Sequence, residues 1–157
     1  MATCLRNQGA QAVEFGHLKA EGRPFTWAPI LVNLLEGFPG ISLVLSTSWV
    51  RHLGYKRTLG YLPRELQVRV TGATWHSSMA RGWINESQWD GKTRYEQICR
   101  YAARSQLRHW IALDDDDEGW AQSSVDKLVV CSPELGLSST QTQAELHWRL
   151  GEMYSRP

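Results

Sequence analysis

A chain of 157 residues suits one domain with a single large core and leaves little room for a second. Apolar residues at 42% and charged residues at 21% give a globular composition and exclude a disordered tail. With 17 Lys+Arg against 16 Asp+Glu the net charge is +1, which argues against a protein built mainly to neutralise nucleic-acid phosphates.

Residues 1–24 show no clear period and are punctuated by Gly9, Gly16, Gly22 and Pro24. They read as an N-terminal arm or loop ahead of one domain over residues 25–157. Within the arm, residues 11–15 are the only stretch whose alternation suits a strand. Thr26 is placed to cap a helix over 27–36, with Pro29 in its first turn and Ile30, Leu31, Leu34 and Leu35 on its apolar face. The Gly-Phe-Pro-Gly run at 37–40 stops it. Residues 41–45 are mostly apolar, as expected of a strand covered on both faces, and they end in Ser46-Thr47-Ser48-Trp49. A weak helix over 51–62, a helical turn at 63–66 and a short strand at 68–70 follow. Residues 73–92 read as loop. Residues 93–107 form the next helix, with Ile98, Tyr101 and Ala102 on one side. The strand at 110–113 runs directly into Asp114-Asp115-Asp116-Asp117. Another strand spans 128–131. Ser139 or Thr140 caps a last helix to about residue 154, and Thr140-x-x-Gln143 has the spacing of a capping box. Helices alternating with short apolar strands predict an α/β fold around a parallel sheet. Ligands in such folds sit beyond the carboxyl ends of the strands.

No apolar run approaches the ~20 residues that span a bilayer, and residues 1–16 hold no apolar leader core, so a cytoplasmic protein without membrane contact is expected. Cys4, Cys99 and Cys131 form no CxxC pair and read as buried or free thiols in a reducing compartment. Tryptophan is unusually common at 8 residues; Trp49, Trp75, Trp83, Trp89 and Trp120 fall in segments read as loops or strand ends, where they line a site or cap the core. His76, His109 and His147 lack metal-ligand spacing. There is no GxSxG, GxGxxG or GxxxxGK[ST] motif. Arg51, Lys56, Arg57, Arg64 and Arg69, with Trp49, Tyr55 and Tyr61 nearby, form either a solvated basic face or a nucleic-acid contact.

Two strand ends carry residues suited to chemistry. Four successive aspartates repel one another, and a divalent cation relieves that repulsion; the alternative is a solvated acidic turn. The hydroxyl run Ser46-Thr47-Ser48 suits an oxyanion such as phosphate, or serves as a plain helix cap.

Taken in order, these segments resemble the haloacid dehalogenase-like (HAD) phosphohydrolases, most closely a small bacterial branch related to HAD domains of RNA-repair proteins. Residues 41–49 are similar to the second motif of that branch, an apolar strand ending in Ser-Ser/Thr-Ser-Trp. Leu62-Pro63, then Arg69-Val70-Thr71-Gly72-Ala73-Thr74, match its Leu-Pro…Arg-Val segment. Thr93-Arg94…Glu96-Gln97-Ile98 resembles its helix start, and residues 110–116 its fourth motif. Leu128-Val129-Val130-Cys131 with Leu135-Gly136-Leu137 resembles its closing strand and turn. The resemblance implies a Rossmannoid parallel sheet flanked by helices. It implies that Ser46, with Thr47 beside it, binds a phosphate oxygen, and that Asp114 and Asp115 hold Mg2+ weakly. It also implies that Arg94, or alternatively Lys92, is the cation of the third motif.

One part of the pattern is missing. The family opens on a strand followed by Asp-x-Asp-Gly, whose first aspartate is the nucleophile. Residues 1–26 contain no aspartate, and the first in the chain is Asp90. Either the first strand and nucleophile are lost, or an in-frame copy lies upstream of Met1. Three functions follow as expectations. The first is a degenerate, non-catalytic HAD-like domain, a pseudoenzyme binding an unknown protein or a phosphate-bearing ligand. The second is a magnesium-dependent phosphohydrolase acting on a phosphate monoester or nucleotide. The third is a mobile-element protein that blocks a host complex.

Overall fold

The computed structural model describes residues 12–15, 18–21, 25–76 and 91–155. Most of the loop expected over 73–92, with Trp83 and Trp89, lies outside the described residues.

Within the N-terminal segment read as an arm or loop, two short strands are described. Strand β1 (Ala12–Phe15) pairs antiparallel with β2 (Leu18–Glu21), Phe15 standing opposite Leu18. Residues 12–15 of the alternating stretch form a strand, and its partner is the next strand in the chain, a pairing with little loop-closure cost.

Helix α1 (Ala28–Leu35) buries Ala28, Leu31 and Leu35. Its N-cap is Trp27, one residue later than the Thr26 expected, and Pro29 sits where its missing N–H is harmless. Its far end is tied down by Arg69. The guanidinium donates through Nη1 to the carbonyls of Phe38 (2.8 Å) and Ile41 (3.2 Å), and through Nη2 to that of Leu35 (3.1 Å). Arg69 therefore leaves the basic group considered for nucleic acid: it closes the C-terminus of α1, where carbonyls lack helical partners.

Strand β3 (Leu43–Leu45) leads into α2 (Ser48–Leu53) and α3 (Tyr55–Gly60). Gly54, at φ 83°, separates the two helices, so the weak helix expected over 51–62 is two short ones, and Trp49 is helical. After α4 (Arg64–Gln67), strand β4 runs over Val70–Ala73, two residues later than expected. Val68 is the C-cap of α4 and is 76% exposed. Helix α5 (Arg94–Arg104) begins in a capping box. The Glu96 N–H donates to Thr93 Oγ1 (3.2 Å), and the Thr93 N–H donates to Glu96 Oε2 (2.9 Å). Strand β5 (Ala112–Asp114), a 3-10 turn (Gln122–Lys127), β6 (Leu128–Val130) and α6 (Thr140–Tyr154) complete the chain. Ser139 caps α6 by accepting from the Thr142 N–H (3.3 Å), while the Gln143 amide turns back to the Leu137 carbonyl, so no capping box forms there.

β3 and β4 form one parallel pair, and β5 and β6 another. Side-chain alternation shows that both pairs belong to one layer. Leu43, Leu45, Leu113 and Val129 share a cluster with Leu31 and Leu35 of α1 and Leu146 and Leu150 of α6. Val44, Ala112 and Leu128 share the opposite one with Ile98 and Ala102 of α5. Helices thus cover both faces of a parallel α/β core. Tyr101 of α5 also lies on Gly72 of β4, so close that a Cβ there would stand 2.6 Å from its hydroxyl. Strand geometry turns the N–H and C=O of Val44 away from β4 and those of Leu113 away from β6. Both residues are buried, and no described strand pairs with either of these edges. Among the described residues no helix is long and apolar enough to cross a membrane.

Arg69→Ala strips several buried carbonyls of a charged donor and is expected to cost ~2–4 kcal/mol in urea unfolding. Arg64→Ala, on an exposed side chain, is expected to stay within ~0.5 kcal/mol. Gly136 adopts φ 52° with the Trp27 ring 2.3–2.5 Å from where a Cβ would stand. Gly136→Ala is therefore expected to cost ~2–3 kcal/mol by overpacking and backbone strain together.

Candidate functional site

Four chain segments leave the sheet at the carboxyl ends of their strands: Ser46 after β3, Thr74 after β4, Asp114 at the end of β5 and Cys131 after β6. All four are buried. The parallel pairing explains their grouping two by two. Thr74 donates its N–H to the Leu45 carbonyl (2.9 Å) and its Oγ1 hydroxyl to Ser46 Oγ (3.3 Å). Cys131 donates its N–H to the Asp114 carbonyl (2.7 Å). Thr47 follows Ser46 as the N-cap of α2, its side chain accepting from the Trp49 N–H at 3.3 Å. In the described structure Thr47 is thus occupied as a cap, and Ser46 is the hydroxyl joined to its neighbouring strand end.

Asp114 is fully buried, which a carboxylate tolerates only with charge or hydrogen-bond partners. Its Oδ1 accepts from the Asp115 N–H (3.0 Å). Its Oδ2 lies 3.4 Å from Nε of Arg94, whose side chain is 16% exposed. Arg94 is the first residue of α5, so the capping box at Thr93 and the packing of Ile98 aim it at the strand end. Lys92, just ahead of the helix, instead pairs with Glu96 in its first turn (3.6 Å). Of the two cations singled out in the sequence, Arg94 is the one at Asp114.

The acidic run divides. Asp114 ends the strand and Asp115 is half-buried beside it. Asp116 folds its Oδ1 onto the Glu118 N–H (2.9 Å), Asp117 is exposed, and Trp120 anchors the turn against the rings of Tyr95 (4.8 Å) and Trp110 (6.2 Å). Among the described residues no three acidic, histidine or cysteine side chains converge as a metal cage. Magnesium takes one or two carboxylates from a protein when phosphate and water supply the rest. Here one of the two available carries a guanidinium already. The described residues therefore do not fit a magnesium held by the protein alone.

Thr74 closes the segment that resembles the family's Arg-Val stretch, and the β3–β4 register is what sets its hydroxyl on Ser46. Cys131, expected as a buried or free thiol, is a buried free thiol whose N–H joins the strand end at Asp114. Burial first, then the charges of Asp114, Asp115 and Glu145, raise its thiol from 9.0 to about 12.

The model of the HAD domain in Swiss Army Knife RNA repair proteins matches residues 5–142. The chain belongs to this HAD family. The match spans every strand described above and the start of α6, so the strand-end residues stand in a HAD domain. No curated protein and no solved structure matches the chain at a significant level.

The raised Cys131 thiol gives stability a pH dependence. Below about pH 9 the thiol is protonated folded and unfolded, and its contribution is whole. Between pH 9 and 12 the unfolded thiol ionises while the folded one keeps its proton, so stability is lost as pH rises. Urea midpoints of wild type and Cys131→Ala at pH 8, 9 and 10 are expected to show a wild-type advantage shrinking by up to ~1.4 kcal/mol per pH unit. A pH-independent difference would contradict this.

Proposed function

We propose that this HAD-like domain binds a phosphate-bearing ligand, or a protein partner that presents one, without transferring the phosphoryl group. The observation that carries this reading is the Asp114–Arg94 contact: the one carboxylate at a described strand end is buried against a guanidinium. Covalent phosphoryl transfer needs a free carboxylate aimed at phosphorus. Residues 1–26 supply no aspartate for that task. What remains suits binding. Ser46 and Thr74 offer hydroxyls, and Arg94, once in contact with a ligand, offers positive charge beside Asp114. Magnesium enters, on this reading, with the ligand's phosphate and weakly. The sparse thiols favour a cytoplasmic setting.

The test is hydrolysis of a generic aryl phosphate with magnesium. Turnover at background, unchanged by Asp114→Asn, is expected. Robust turnover that Asp114→Asn removes would overturn the reading and establish a working phosphohydrolase. In a thermal melt without phosphate, tens of millimolar magnesium is expected to move Tm by no more than ~2 °C, a fraction of a kcal/mol at this size. Arg94→Met lifts the competing cation from Asp114 and is expected to enlarge that shift relative to its own metal-free melt.

A further inference from the structure

A second concave surface lies at the amino edge of β5 and β6, at the other end of these strands from Asp114. Arg108, His109, Trp110, Lys127, Trp148 and Glu152 line it, and it encloses about 140 Å³. Two tryptophans stand among its charged lining residues. Trp148 is 61% exposed on α6. Trp110 is buried behind, with the Lys127 ammonium 4.9 Å from its ring centroid.

The charges of this groove are unevenly committed. Arg149 is fully engaged: its Nε and Nη2 reach Glu145 Oε1 (3.3 and 2.9 Å) and its Nη1 donates to the Asp126 carbonyl. This brace ties α6 to the 3-10 turn and sets Arg149 5.6 Å from the Trp148 ring. Arg108 and Lys127, by contrast, form no ion pair among the described residues. The acidic residues Asp126 and Glu152 also line the groove.

A ligand that satisfies all of this needs three features at once. It needs a planar ring for Trp148, an anion for Arg108 and Lys127, and hydrogen-bond donors for Asp126 and Glu152. Inorganic phosphate leaves the ring unused and meets two like charges. A plain aromatic leaves the cations unmatched. The enclosed space is below the ~300 Å³ of pockets that swallow whole drug-sized ligands, so one ring enters and the remainder stays at the open rim. Aromatic stacking beside basic side chains is the arrangement that holds single nucleotide units. We propose that this groove binds a nucleotide, its base against Trp148, its phosphate at Arg108 and Lys127, and its amino or hydroxyl donors on the two carboxylates. The site is separate from Ser46 and Asp114 and does not rest on the function proposed for them.

The unit can be a free nucleotide or part of a single strand, and titrations of the full chain distinguish the sources. The probes are AMP, inorganic phosphate and an eight-residue oligoadenylate, followed by two-dimensional NMR. AMP is expected to bind at about millimolar Kd or tighter, with phosphate alone at least ~10-fold weaker. Trp148→Ala is expected to weaken AMP at least ~5-fold, with Trp148→Phe retaining most of the affinity. Both variants change an exposed side chain, and circular dichroism melts verify their folding. Arg108→Ala and Lys127→Ala should each weaken AMP, while Asp114→Asn leaves it unchanged. An octamer that binds more tightly than AMP and weakens steeply with salt identifies a single strand as the source; equal affinities identify the free nucleotide. No binding at ~10 mM AMP, phosphate binding as well as AMP, or an unaffected Trp148→Ala would each overturn the proposal.

Discussion

The constraint on which this fold depends is a pair of strand edges. Val44 and Leu113 each turn a peptide N–H and C=O away from the partner strand, and both are buried. A buried peptide group left without a partner costs about 1–3 kcal/mol, so these edges are where the sheet has most to gain from a further strand. Hydrogen bonds among the described strands hold each parallel pair together but not the two pairs to one another. That task falls to helices. α5 touches both pairs on one face through Ile98, Ala102 and Tyr101, and α1 with α6 closes the other. The layer is therefore held across its middle by apolar packing, which is non-directional and tolerates changes of register and spacing that a hydrogen-bond ladder would not.

Two arginines show how burial decides the work a charge can do. Arg69 meets carbonyl oxygens, groups with partial charge only, and its gain comes from closing a helix end that would otherwise lack donors. Arg94 meets a full carboxylate, so each charge lowers the desolvation penalty of the other. The same pairing restricts chemistry. A carboxylate that balances a guanidinium in the ground state is a poorer metal ligand and a poorer nucleophile than a free one.

Much of this was readable from residue order. The apolar strand cores around Leu43, Leu113 and Val129 and the helix through Ile98 follow from hydrophobic pattern, and their sequence led to the family. Boundaries were less legible. Val68 looks like a strand residue, yet α4 continues through it as a cap, because a Pro63 start and a buried Leu66 set the helical phase first. Ser139 was preferred to Thr140 as a cap because the Gln143 amide found the Leu137 carbonyl, a partner no local spacing rule anticipates. At the site, Ser46 and Asp114 were visible because each ends an apolar run. Arg94 was the first choice on the resemblance, with Lys92 as the alternative; its place at Asp114 and the Thr74–Ser46 hydrogen bond depend on which elements pack together. The groove at Trp148 was invisible for the same reason: Arg108, Lys127 and Trp148 come from three elements, and only the α6–β6 packing brings them to one surface.

The four aspartates show most sharply why sequence adjacency is a poor guide to a site. In a strand, successive side chains point to opposite faces, and a chain leaving the strand changes direction again within a residue or two. Asp114 is fixed by the β5–β6 ladder and sinks against Arg94. Asp115 lends its N–H to Asp114, so its backbone already serves its neighbour's carboxylate. Asp116 spends its oxygen on the turn, and Asp117 reaches solvent. Divergence of the side chains relieves part of the repulsion that made the run look costly. Four charges that diverge into a buried pair, a turn and water lose most of their mutual Coulomb energy to distance and screening. Asp116 and Asp117 are therefore set apart from the strand end by the turn hydrogen bond and the Trp120 anchor, and only Asp114 and Asp115 remain beside Arg94.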